Sequence, residues 1–397
     1  MATQTATNPL YEALQGFSVI DCDTHYTEPP DLWTSRAPAK YRDQVPHLRN
    51  VNGSDMWFVA GDILLGPVGL TVVTEGGEKV LGKLGIRDFS VLERAAYEVG
   101  PRLQMMDRLG IHAQIVYPNA SGFANAAFLR VPDEELRTIC TTIYNDAVAE
   151  WQAESGGRLF PQALLPFWDL EATLKEMRRC VEELKLKGFT ITDTPERVGL
   201  PDYGTPHWEP FWELANDLRA PLNFHIGSAG GGFSPFLDSP WPSMGPERKM
   251  AIGATCIYLD NARMISNLLF SGLFDRYPNL KLVSVESGIG WIPFVIEAAE
   301  YQLDEMCPTE GKALQRRPTE YFRDHIYACF WFEDYGPRVM MDKIGVGNIL
   351  FETDFPHPTC LYPKSQEHLA NILADLSEET RQRVLQQNAS ELYGIPV

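Results

Sequence analysis

The chain has 397 residues, 44% of them hydrophobic and 22% charged, enough to bury a large core, and no apolar run long enough to cross a bilayer. Its net charge of -19 excludes the basic patch that nucleic-acid backbones and anionic membranes attract. Seven scattered cysteines without a Cys-x-x-Cys pair, and a polar Met1–Pro9 start without signal-peptide regions, point to reduced thiols and a cytoplasmic protein.

The first apolar run, Phe17–Asp21, predicts a strand that delivers Asp23 and His25 just past its end. Alternate side chains of extended chain share a face, so this Asp-x-His pair can reach one metal ion together, although such a triplet alone also fits a turn cap. Residues from about 29 to 85 are rich in Gly, Pro and Asp and carry β-like runs at Met56–Ala60 and Leu70–Thr74. They read as a β-rich excursion inserted after strand one. Further strands are predicted at Ala113–Tyr117, Phe160–Leu165, Gly188–Thr192, Pro221–Phe224, Leu280–Val285, Ile326–Phe330 and Asn348–Thr353. Helical periodicity lies between most of them, at Glu134–Glu154, Glu171–Leu186, Glu209–Leu218, Ala262–Phe274 and Pro293–Met306.

Eight strands alternating with helices imply parallel pairing and right-handed crossovers, and so an α/β fold of the closed (β/α)8 TIM-barrel type. No linker divides the chain, which reads as a single domain over 1–397 with the 29–85 insertion inside it. A doubly wound open sheet would carry a glycine fingerprint after its first strand, and none is present.

In a barrel, the functional groups gather at the C-terminal ends of the strands. His225 ends strand five, Glu286 ends strand six and Asp354 ends strand eight, beside Asp23 and His25 of strand one. Singly, His225 fits a core histidine, Glu286 a helix cap and Asp354 an Asx-turn; jointly, they fall on one rim. His357, three residues after Asp354, is placed to orient a ligand or the substrate. The remaining His47, His112, His207, His325 and His368 suit solvated or structural roles. Tyr117 with Asn119, Phe167 with Trp168, and Phe330–Phe332 offer aromatic walls for a flat substrate, or simply rim packing. The run Gly227–Gly232 fits a lid, an anion nest or an irregular loop.

Four segments carry a family resemblance: Asp-Cys-Asp-Thr-His-Tyr-Thr-Glu-Pro-Pro (21–30), Met-Asp-Arg-Leu-Gly-Ile (106–111), Asn-Phe-His-Ile-Gly (223–227) and Phe-Glu-Thr-Asp-Phe-Pro-His-Pro (351–358). With the closing segment at Gln386–Ala389, the chain from Val19 to Tyr393 resembles the amidohydrolase-superfamily metal enzymes of the aminocarboxymuconate-semialdehyde decarboxylase type. The resemblance implies one divalent metal held by Asp23, His25, His225 and Asp354, with Zn²⁺ expected and Mn²⁺ or iron as alternatives, and it implies a homodimer. Two departures stand out. Asp-x-His replaces His-x-His after strand one, and Glu286 replaces the histidine that ends strand six in many decarboxylases. The second makes the site harder and more anionic, which favours Mn²⁺ or iron and admits a second ion.

The implied activity is a metal-dependent lyase that decarboxylates an aromatic or muconate-like carboxylic acid, with Asp354 as the acid. The alternative is a metal-dependent hydrolase of a C–C, lactone or amide bond in a carbonyl substrate, where Asp354 takes a proton from water and Glu286 or His357 protonates the leaving group. Iron-dependent oxidation and a noncatalytic binding protein are more distant readings.

Overall fold

A computed structural model describes residues 14, 16–228 and 241–397. Part of the predicted glycine loop, residues 229–232, therefore lies outside the described residues. The chain opens with β1 (Val19–His25), buried at every position. A three-stranded antiparallel sheet follows, made of β2 (His47–Val51), β3 (Ser54–Val59) and β4 (Ile63–Pro67) in that order. Then come β5 (Ile111–Tyr117), β6 (Leu159–Pro161), β7 (Phe189–Ile191) and β8 (Leu222–His225), and finally β9 (Leu282–Val285), β10 (Ile326–Phe330) and β11 (Ile349–Phe351).

The eight strands outside the antiparallel sheet pair only in parallel, because helices cross over between most of them. They form two ladders, β1-β5-β6 and β11-β10-β9-β8-β7. Single parallel bridges, Ala163 to Phe189 and Thr24 to Phe355, join the ladders at their two seams, where continuous pairing stops. Ile20, Cys22, Ala113, Ile115, Tyr117, Phe160, Val283, Val285, Cys329 and Leu350 meet in one apolar interior, sealed from below by Ala389, Tyr393 and Ile395. The opposite strand faces, such as Leu222, Phe224, Leu282, Ile349 and Phe351, join the larger core beneath the helices.

Local chemistry sets the helix ends. Asp133 accepts a hydrogen bond from the Leu136 amide and starts the helix Glu134–Glu154; Asp169 does the same through Ala172 for Leu170–Glu182. Gly110, at φ 66°, ends the helix Val99–Leu109 and turns the chain directly into β5.

All eight predicted parallel strands are present, and the differences are at their edges. β1 runs to His25 rather than ending at Asp21, since His25 still pairs with Tyr117. β6 stops at Pro161, short of the predicted end at Leu165. The helix expected over Ala262–Phe274 divides at Gly272, φ 67°, into Asn261–Phe270 and Leu273–Arg276. Leu70–Thr74 is not a strand; Val73 and Thr74 make only single bridges, to Lys79 and Leu92. In its place the antiparallel sheet uses β2, mostly polar and partly exposed, and β4, a short apolar run interrupted by Gly66 and Pro67.

Phe351 is fully buried, its ring 5.7 Å from that of Phe330. Phe351→Ala is expected to cost about 3–5 kcal/mol, from lost apolar burial plus the cavity left behind. Urea unfolding followed by tryptophan fluorescence measures it.

Candidate metal centre

Four strand ends bring the five predicted rim residues together, through a bulge, plain alternation and left-handed backbone. Simple alternation would put Asp23 and His25 on the face opposite Ile20 and Cys22. The β1–β5 register slips between Asp21 and Thr24, and this bulge lets Asp23 and His25 share the interior with Cys22. His225 follows alternation, two residues after the inward Asn223. Val283 and Val285 point inward on β9, so Glu286 should point out; its left-handed backbone, φ 52°, turns it back toward His225. Asp354, at φ 61°, is turned in the same way. Left-handed backbone at non-glycine residues costs on the order of 1–3 kcal/mol each, and it persists where surrounding contacts fix it.

Those contacts are visible. Glu352, fully buried on the inward face, accepts the Glu286 amide at 3.1 Å. Asp354 donates its amide to the Asp23 carbonyl at 2.8 Å, and His25 donates to that of Phe355 at 2.7 Å. Beneath them Asp21 accepts the Thr353 amide at 2.8 Å, the Thr353 hydroxyl at 2.6 Å and the Gln114 amide at 3.0 Å. Gln114 in turn accepts from the buried Arg102 guanidinium at 2.7 Å. Burial pushes Asp21 up to about 7 against its three hydrogen bonds, and Arg102 down to about 9.

The donor atoms form two overlapping sets, Asp23, His25, His225 and Glu286, and His25, Glu286, Asp354 and His357, with atoms in each set within 4.8 Å of one another. His25 Nε2 lies 3.3 Å from Asp23 Oδ1 and 3.3 Å from Asp354 Oδ1. His225 Nε2 lies 3.5 Å from Asp23 Oδ2 and 3.2 Å from Glu286 Oε2. Each imidazole is oriented from its far side: His25 Nδ1 meets the Pro118 carbonyl at 3.3 Å and His225 Nδ1 that of Ile226 at 2.7 Å. With Nδ1–H donated there, each Nε2 carries a lone pair toward the cluster. His357 stacks on His25, with centroids 3.4 Å apart, and holds Nδ1 3.1 Å from Asp354 Oδ1.

Burial sets the electrostatics. It would raise Asp23, but His225 and His25 outweigh it and hold the carboxyl at about 2. Burial lowers His25, with Asp23 opposing; burial opposes the rise of His225, which Asp23 and Glu286 drive upward. Burial, with Glu286 and Asp23 nearby, pushes Asp354 well above the carboxylate range, and burial lifts Glu286 to about 8. His357 is held well below the usual histidine value by burial and the two neighbouring imidazoles.

Both oxygens of Asp23, Nε2 of His25, His225 and His357, and Asp354 Oδ1 are buried without a hydrogen-bond partner. Buried polar atoms are rarely left so, and six of them crowded into two overlapping sets that share His25 and Glu286 fit a divalent cation, whose charge would relieve the crowded carboxylates. Of the predicted ligands, Asp23, His25 and His225 share the first set with Glu286, whereas Asp354 falls in the second with His25, Glu286 and His357.

Of the predicted aromatic walls, Tyr117 lies beside the donors, its ring 5.5 Å from that of His225 and 6.0 Å from that of His25, whereas others serve packing. Trp168 sits under the Arg137 guanidinium at 5.4 Å and Phe167 is in the main core. Trp331 is buried beside Tyr258 at 5.7 Å. His325 stacks on Phe274 at 4.2 Å, and all seven cysteines are free thiols. Glu352, Asp21 and Phe123 are not among the predicted site residues; the sequence signal for Glu352 is its place two residues before Asp354, just past β11.

The model of the Amidohydrolase family matches residues 20–395. A gamma-resorcylate decarboxylase from Polaromonas sp. (strain JS666 / ATCC BAA-500) is 27% identical over 300 residues, 74% of this chain and 86% of the relative. A 2-amino-3-carboxymuconate-6-semialdehyde decarboxylase from Dictyostelium discoideum is 24% identical over 257 residues, 63% of this chain and 65% of the relative. Among solved structures, a dihydroxybenzoic acid decarboxylase from Polaromonas sp. JS666, with bound manganese and the inhibitor 2-nitroresorcinol, aligns with a TM-score of 0.59 at 20% identity. The alignment covers 95% of this chain and 97% of that one. Among the described residues no helix is long and apolar enough to cross a membrane.

Proposed function

Because the chain belongs to the amidohydrolase family, we propose that it is a metal-dependent decarboxylase of an aromatic or muconate-like acid, with Asp23, His25, His225 and Asp354 holding one divalent ion. The carrying observation is the group of buried donor atoms without hydrogen-bond partners, crowded around His25. In this reading the strands close into a (β/α)8 ring through the bridges at Thr24–Phe355 and Ala163–Phe189, with residues 29–85 inserted after β1.

Mn²⁺ is favoured over Zn²⁺, because two carboxylate ligands with imidazoles, and a third carboxylate at Glu286 beside them, make a hard donor set; the manganese in the dihydroxybenzoic acid decarboxylase supports the choice. When bound, such an ion orients and polarises the substrate carboxylate. The side chains do the rest. Asp354 gives its proton to the ring carbon that bears the carboxylate, the bond to the carboxyl carbon breaks, and its electron pair returns to the ring as CO₂ leaves. The neutral His357, 3.1 Å from Asp354, keeps that carboxyl aimed inward, and Glu286 borders the site where it meets solvent.

Incubating the Mn²⁺-loaded protein with hydroxybenzoates, gamma-resorcylate among them, in ¹⁸O-labelled water tests this. Release of CO₂ with an unlabelled phenolic product is expected. Label in the organic product would replace decarboxylation with hydrolysis.

A further inference from the structure

The half-buried Phe123 lies against the metal centre. Its ring packs on His225, with centroids 3.9 Å apart and planes 33° apart, and stands 5.2 Å from His25 and 5.8 Å from His357. It therefore covers three imidazoles at once. The donor residues beneath are buried, and Glu286, the most open of them, is only 8% exposed. On this side the ring stands between an incoming planar acid and the three imidazoles.

The backbone that carries Phe123 is pinned. On one side the buried Glu28 carboxylate accepts the Asn119 and Ala120 amides at 2.9 and 2.8 Å. On the other, Asn125 donates to the Thr141 hydroxyl at 2.7 Å and to the Leu165 carbonyl at 3.1 Å. Thr190 donates its hydroxyl to the carbonyl of Phe123 itself. Gly227, at φ 73°, leaves room against the ring; a Cβ there would lie 3.6 Å from Phe123 Cε2. With the main chain tied at three points, the freedom left to Phe123 is rotation of its side chain between staggered positions.

We infer that Phe123 is a specificity-determining gate, whose ring rotates off the imidazoles to admit a planar carboxylic acid and then packs along it. This rests on the metal-centre reading above. An aromatic acid matches the flat ring it displaces and gains an aromatic contact in return, whereas a branched aliphatic acid does not.

Wild type, Phe123→Ala and Phe123→Leu are loaded with Mn²⁺, their metal content and far-UV circular dichroism are measured, and metal loss is followed in two chelators. Pyridine-2,6-dicarboxylate, small and planar, attacks by entering the site; EDTA, bulkier, reports spontaneous release. The alanine variant is expected to lose metal to the dicarboxylate ~10-fold faster, the leucine variant to fall between, and loss to EDTA to stay unchanged. Equal rates toward the dicarboxylate would overturn the gate, as would parallel acceleration by both chelators, since that describes a loosened centre. A wild type that retains no metal at the first measurement removes the metal-centre reading, and the gate with it.

Discussion

His225→Ala is expected to lose its metal, from about one ion per chain to near none after dialysis, with decarboxylation falling by at least ~10³-fold. The argument is geometric. His225 is fixed by the Ile226 carbonyl, and its Nε2 lies 3.5 Å from Asp23 and 3.2 Å from Glu286. Removing the ring takes away a donor and leaves two carboxylates facing each other in a buried site, where uncompensated charge is costly. Asp23→Ala should behave alike. His325→Ala is the control: that histidine is also buried, but it stacks on Phe274 and bonds the Leu280 carbonyl at 2.9 Å, so its variant should keep the ion even if less stable. Elemental analysis of the three variants decides the matter, and full metal retention in His225→Ala would sink the ligand assignment.

The parallel strands were legible because each is a short apolar run buried on both faces, and such runs differ from the amphipathic helices between them. That pattern also located His225 and Asp354, since a polar residue closing an apolar strand is visible in one dimension. The devices that aim the site were not. The register slip in β1 depends on how β1 meets β5, a pairing across ninety-odd residues that no local pattern encodes. The left-handed turns at Glu286 and Asp354 fall on acidic residues, whereas sequence signals a positive φ mainly through glycine. Alternation alone would have sent Glu286 to the outer face; it joins the donors because Glu352 holds its amide. Phe123 lies in a loop without periodicity, and nothing in its neighbourhood marks it as a residue that covers the centre. The ligand set was thus readable as residue types at strand ends, while its shape came from long-range hydrogen bonds.

Asp354→Asn is expected to cut decarboxylation by ~10³-fold, within the range for removing a general acid, while much of the metal remains bound. The substitution keeps the size of the side chain and one carbonyl oxygen, so a donor still faces His25 from the same turn. It also leaves the backbone that places this residue untouched, including its amide bond to the Asp23 carbonyl at 2.8 Å. What it removes is a carboxyl that can surrender a proton. Thr359, which donates to Asp354 Oδ2 at 3.3 Å, would face an amide instead, and His357 would lose the carboxyl partner of its Nδ1. Turnover must therefore be compared at equal metal content, which separates the acid role from the ligand role. A variant with full occupancy and wild-type turnover would show that the proton comes from elsewhere, and Glu286 would be the next group to test, because it is the most open of the donors at 8% exposure. A variant that has lost both metal and turnover would make Asp354 a ligand first, and the proton donor would then have to be sought in Glu286→Gln at full occupancy.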